Sequence, residues 1–257
     1  MMKTKVLVLF WAFLSLHLCV ISCNDYKAEK LPNGTLRIIS YHGKSADIKI
    51  PAAMGIMKTP VTEIGEDAFF DLGALKLTSV VIPEGVASIG NNAFLWNKLA
   101  RAVIPESVTS IGDYAFSDNL LTSVEIPAGV THIGKCAFSG NQLSSVVIPE
   151  GVTSVEDGAF LSNRITRLVI PKSVTVIRNF AFRINLLESL AIPENVTFIG
   201  EYAFSKNQLA QVVIPRSVSV IGSRAFNANK FDSVIIPNSA AVIAKDAFDS
   251  GVKIERL

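Results

Sequence analysis

One period organises this chain. Ile-Pro recurs every 22 residues, at Pro83, Pro105, Pro127, Pro149, Pro171, Pro193, Pro215 and Pro237. Ala-Phe keeps the same spacing, at Phe94, Phe116, Phe138, Phe160, Phe182, Phe204, Phe226 and Phe248. Asparagine follows it at Asn97, Asn119, Asn141, Asn163, Asn185, Asn207 and Asn229. Three residue types in one register define an internal repeat, which settles the architecture before any local reading. The consensus is L-x-x-V-x-I-P-x-x-V-x-x-I-G-x-x-A-F-x-x-N-x, and Leu121 to Gln142 is one copy. A divergent first copy holds Pro51, Ile64-Gly65 and Ala68-Phe69, with extra residues around Gly55–Thr59.

Each part of the unit has a physical job. V-x-I alternates with period two, so it reads as a short strand with both apolar residues on one face. Proline ends the strand because it has no N–H for the ladder. The later Val and Ile stand three apart, which predicts a tight bent segment rather than a second flat strand. Gly-x-x-Ala-Phe suggests a helical turn with Phe inward, and Asn a turn where its side chain bonds local backbone. So short a unit cannot bury its apolar face alone, but stacked units share a continuous core. Strands in such a stack lie about 4.8 Å apart, so nine coils give a rod roughly 40 Å long.

The pattern I-P-x-x-V-x-x-I-G-x-x-A-F resembles the BspA-like, or Treponema-type, leucine-rich repeat over about residues 33–250. The resemblance implies a leucine-rich-repeat solenoid, a curved stack with a parallel β-sheet on its concave face. It also implies an exported or surface-exposed adhesin or ligand-binding module, an inference by analogy because fold does not fix function. Asn stands where many family members have Cys. Glu156, Arg178 and Ala244 replace the Gly of I-G, so that site has no strict need of a positive φ. Solenoid ends expose strand edges that must be blunted. Thr35–Tyr41 and Ile48-Lys49-Ile50 read as hairpin-like strands capping the first coil, and Val252–Arg256 as a last capping strand.

Residues 1–22 have the layout of a secretory signal, with Lys3 and Lys5 before an apolar run from Val6 to Val20. The run is short for a membrane span, which needs about 20 apolar residues. Val20-Ile21-Ser22-Cys23 resembles the lipobox of bacterial lipoproteins, which implies diacylglyceryl transfer to Cys23 and cleavage before it. Cleavage by an ordinary signal peptidase, giving a soluble secreted protein, is the alternative. The chain divides into the signal (1–22), a lipidated Cys with linker and N-terminal cap (23–50), the repeats (51–250) and a cap strand (251–257). Without Lys3 and Lys5 the remaining Lys+Arg equal the 22 Asp+Glu. Nucleic-acid binding needs a basic surplus and is not expected. Contact with a membrane is expected through the lipid anchor only, at the outer membrane or cell surface.

Chemistry is sparse. His17, His42 and His132 are scattered, and no Cys/His spacing suits a metal. Cys136 reads as a small packing residue. Glu84, Glu106, Glu150 and Glu194, each after a proline, read as a solvated edge. No catalytic group, metal or cofactor is expected, and the chain does not read as an enzyme. The informative column is the middle residue of V-x-I: Val81, Val103, Glu125, Val147, Val169, Ala191, Val213 and Ile235. Two positions before these stand Ser79, Arg101, Ser123, Ser145, Arg167, Ser189, Gln211 and Ser233, and Arg and Gln do not belong in a dry core. Both columns should therefore face outward. The expected binding face is Val81, Arg101, Val103, Val147, Arg167, Val169, Ala191, Val213 and Ile235, taking a protein or other macromolecule or a second copy of the chain. Strand propensity alone accounts for Val and Ile equally well. Val176, Phe198, Val220 and Val242 form a second column, either another surface or extra core packing. The functional expectation is a surface lipoprotein acting in adhesion or protein binding. The alternative is a self-associating structural envelope protein.

Overall fold

The computed structural model describes residues 20–23, 25–237 and 241–256. Most of the expected signal, residues 1–19, lies outside the described residues. From Ile48 onward the chain winds into a parallel solenoid whose coils stack in a register of 22 residues. The V-x-I strands pair in parallel: Asp47–Lys49 with Ser79–Val81, then Arg101–Val103. Further along, Ser145–Val147 pairs with Arg167–Val169, and Ser233–Ile236 with the closing strand Lys253–Arg256.

The bent segment expected after the proline is instead a second parallel ladder. It runs through Thr59–Ile64, Ser88–Ile89, Ser110–Ile111 and His132–Ile133. It resumes through Ser154–Val155, Val176–Ile177, Phe198–Ile199, Val220–Ile221 and Val242–Ile243. The consensus Val before each strand, such as Val108 or Val130, is buried in the preceding turn. Only the Ile and its predecessor are extended, so no alternation is long enough to be seen in sequence.

The core is a ladder of rings. Phe69, Phe94, Phe116 and their successors to Phe248 stack with centroids 4.9–5.7 Å apart and planes within 14°. Eight of these rings, Phe69 to Phe226, are fully buried. Burying a Phe contributes about 1.5–3 kcal/mol from apolar area. Beside them runs the asparagine column, six of whose members are buried. These bond far more than local backbone. Asn141 Nδ2 donates to Phe138 O in its own coil and Phe116 O in the one before, while its Oδ1 accepts from Leu121 N–H.

Tyr26–Lys30 and Leu36–Tyr41 form an antiparallel hairpin at the N-terminal end, and the second of them pairs with Thr59–Ile64. Val20–Cys23 pairs antiparallel with Tyr26–Lys30 on its outer edge. The extra residues of the first copy make a small hairpin, with Ala53–Met54 against the start of Thr59–Ile64. Every residue of Lys253–Arg256 is exposed.

Candidate binding face

Parity on the V-x-I face follows the sequence. Val80, Ile82, Val146 and Ile148 point inward, each 2% exposed or less. Between them Val147 is 63% exposed, Val169 53%, Val213 76% and Ile235 49%, so the middle column faces solvent. Ala191 is exposed too, and Val81 and Val103 are half-buried. Register joins these residues coil by coil: Val81 lies beside Val103, Val147 beside Val169, and Ala191 beside Val213. From Val147 to Ile235 every member of the column is apolar, the register pairing Val147 with Val169 and Ala191 with Val213, and a groove parting Val213 from Ile235. Glu125 separates this run from Val81 and Val103. Arg101 pairs with Ser79 and Arg167 with Ser145 in the flanking column, and both arginines are exposed. Among the described residues neither forms an ion pair, so each offers a whole guanidinium to a partner.

The face is not evenly closed. Among the described residues no main-chain hydrogen bond joins 123–126 to either neighbouring coil. Ile126 is only partly buried there, where Ile104, Ile148 and Ile170 are buried, and Val124 is partly buried like Ala102 and Leu168. A groove of ≈ 350 Å³ opens beside Ile126, lined by Val147, Pro149, Val169 and Pro171, with Glu106 and Glu150 nearby. A second, of ≈ 430 Å³, lies between Gln211–Ile214 and Ser233–Ile235.

Val176, Phe198, Val220 and Val242 are not extra core packing. They alternate with the inward Ile177, Ile199, Ile221 and Ile243 and face outward, with Val242 68% exposed. In the N-terminal coils the same column holds Glu63, Ser88, Ser110 and His132. Polarity therefore changes halfway along the rod.

On the turn side, cations are already engaged. Arg183 lies 5.2 Å from the Tyr202 ring and 5.8 Å from Phe180, and those rings stack at 5.2 Å. Arg224 pairs with Asp246 at 3.3 Å and donates to the Tyr202 hydroxyl at 2.5 Å. Cys136 is half-buried, and burial pushes its thiol pKa upward, opposite to what a nucleophile needs. Among the described residues no three His, Cys, Asp or Glu side chains are grouped to hold a metal.

Fold and face together define a leucine-rich-repeat solenoid. More particularly, the chain belongs to the family of the BspA type leucine rich repeat region, whose model matches residues 62–186 and 175–257 in six copies. It is similar to a leucine rich cell surface protein from Faecalibacterium prausnitzii, at 30% identity and TM-score 0.71, over 92% of this chain and 76% of that one. A leucine-rich repeat protein from Bacteroides ovatus shares the fold at 24% identity and TM-score 0.66, over 92% and 71%. So does the leucine rich repeat protein of T. pallidum, at 24% identity and TM-score 0.55, over 72% and 87%. No curated protein matches the chain.

Proposed function

We propose that this is an exported surface lipoprotein, anchored through Cys23, whose V-x-I face binds a macromolecule of a host or neighbouring cell. One observation carries the reading: Val147, Val169, Ala191, Val213 and Ile235 line five consecutive coils, outward and apolar, with Arg167 unpaired beside them. Contiguous exposed apolar surface of this kind marks an interface, whereas single exposed residues do not. The guanidinium supplies planar hydrogen bonding that orients a polar group on the partner. Solenoids of this family are typically binding modules, and the similar F. prausnitzii protein is described as a cell surface protein. Self-association through the stripe is the second reading, favoured by its neutral, apolar character.

The test is Val169→Glu combined with Val213→Glu. Both side chains already face solvent, so circular dichroism and melting should stay native. Adhesion to host cells or matrix protein, measured by surface plasmon resonance, should weaken at least tenfold, since each buried apolar side chain lost is worth about 1.5–3 kcal/mol. Sedimentation reads the second outcome, dissociation of an oligomer. A double variant that folds, binds and sediments like the parent rejects both readings of this face.

A further inference from the structure

The insertion in the first coil ends in an apolar tip. Ala53–Met54 pairs antiparallel with Thr59 and Pro60, and Gly55-Ile56-Met57-Lys58 turns between them, with positive φ at Gly55 and Lys58. Ile56 is 97% exposed and Met57 87%, more than any other large apolar side chain among the described residues. Turns of this kind ordinarily carry small polar residues. Here two large hydrophobes point into solvent on a segment that departs from the repeat.

Its position is specific. A Cβ on Gly55 would lie 3.6 Å from Ile21 Cγ2. Cys23 follows two residues along the same strand, and its pairing with Tyr26 would keep it at this end of the rod once cleavage removes Ile21. Charge at this end is also distinctive. Residues 50–62 contain no acid, and Lys49 and Lys58 flank the apolar group. From Cys23 to Thr62 there are six Lys and Arg against three Asp and Glu, although the mature chain as a whole is balanced. Of the six cations only Arg37 is in an ion pair among the described residues, with Glu29 and Glu63. An exposed apolar tip beside unpaired lysines is the pattern that enters a bilayer interface, the apolar groups below the headgroups and the ammoniums among them.

We propose that the 55–58 tip inserts into the lipid surface that holds the acylated Cys23, as a second membrane contact beside the anchor. This rests on the lipoprotein reading above. Ile56 and Met57 enter the acyl boundary, Lys49 and Lys58 meet anionic headgroups, and the rod is held end-on instead of swinging on a flexible linker. Anionic lipid adds to each lysine's attraction near the surface.

The test uses the lipidated mature chain in vesicles of equal parts phosphatidylethanolamine and phosphatidylglycerol. Trp96→Phe removes the background indole, Trp11 leaving with the signal. Met57→Trp then reports on the tip, and Val242→Trp, an exposed position at the far end of the second ladder, is the control. The tip indole should shift to the blue and be quenched by lipids brominated near the headgroup several times more strongly than the control. A solvent-like tip on vesicle-bound protein overturns the inference and leaves the anchor standing. Equal quenching at both sites overturns it too, because the rod then lies flat. A parent chain that neither takes up lipid at Cys23 nor floats with vesicles removes the anchor, and this inference with it.

Discussion

Asn163 joins three pieces of main chain with one amide. Its Oδ1 accepts from Leu143 N–H at 3.0 Å, and its Nδ2 donates to Phe138 O at 2.9 Å and Phe160 O at 3.3 Å. A thiol at this position would be a weak donor and a weak acceptor, so Asn makes a stronger staple between coils than Cys would. Asn163→Ala leaves the Leu143 N–H buried without its partner, while Phe138 O keeps Asn141 and Phe160 O keeps Asn185. The orphaned donor costs about 1–3 kcal/mol. Urea unfolding should therefore show a loss larger than for Asn229→Ala, where the amide is only partly buried. Asp47 does comparable work at the cap, its Oδ1 accepting from the hydroxyls of Ser79 at 2.7 Å and Thr78 at 2.9 Å. Those bonds hold its pKa below the ordinary 3.8. A lowered folded pKa means that the carboxylate's contribution is fully present above about pH 4 and is lost as pH falls through the folded value. An NMR titration of the Asp47 carboxyl should give a midpoint under 3.8, and one at or above it removes this account of cap docking.

Elements show where sequence reading succeeded and where it stopped. The inward and outward columns of V-x-I were legible because Arg101, Arg167 and Gln211 cannot sit in a dry core. The Phe ladder was legible from its unbroken period. The second ladder was hidden because its strands extend for only two residues in most coils. The outward column Val176–Val242 was ambiguous for the same reason. Positive φ at Tyr114, Phe180 and Tyr202 was also hidden, since bulky residues rarely adopt it. Bonding between coils holds them there: Tyr114 N–H donates to Lys135 O, and Tyr202 N–H to Ser223 O. The I-G glycines serve close approach rather than φ, for a Cβ on Gly134 would lie 2.5 Å from the backbone of the preceding coil. Glu156 occupies that position in the next coil, and there the ladder parts. Gly134 and Arg178 each donate to the coil before them, but among the described residues Glu156 N–H makes no such bond to Ile133 O. Its side chain is 18% exposed and turned toward Arg178, 3.0 Å away. Arg178 and Ala244 keep the bond despite their Cβ, so the carboxylate, not the Cβ alone, distinguishes this coil. Glu156→Gly should let the ladder close. Amide exchange at 153–156 should slow, and the melting temperature should rise despite the lost ion pair, which is partly exposed and worth little. Unchanged exchange would place the cause of the parting elsewhere.

At the scale of the whole molecule, the repeat makes one rod, and on the lipoprotein reading the N-terminal end would hold it. Cleavage before Cys23 would remove Val20, Ile21 and Ser22, three of the four residues paired on Tyr26–Lys30. The core would lose little, because its buried residues begin at Ala28 and continue through Leu36 and Ile38. Anchoring and folding are therefore separable, which makes a single substitution informative. Cys23→Ala removes the sulfur that, on the lipoprotein reading, would accept the diacylglyceryl group, and no residue of the buried core. Each buried CH₂ of an acyl chain adds about 0.8 kcal/mol of membrane affinity, and several chains on one cysteine anchor firmly where one does not. The apolar tip at Ile56 and Met57 is too small to replace them. The variant should lose all incorporation of a labelled fatty acid and move from the membrane fraction to the soluble fraction, while repeat-region amide exchange stays at the parent's rate. Labelling that persists in Cys23→Ala would put the acyl group on another residue and return the lipobox resemblance to an ordinary export signal. Loss of the folded solenoid along with the label would instead mean that the strand Val20–Cys23 belongs to the mature cap, and that the chain is not cut there.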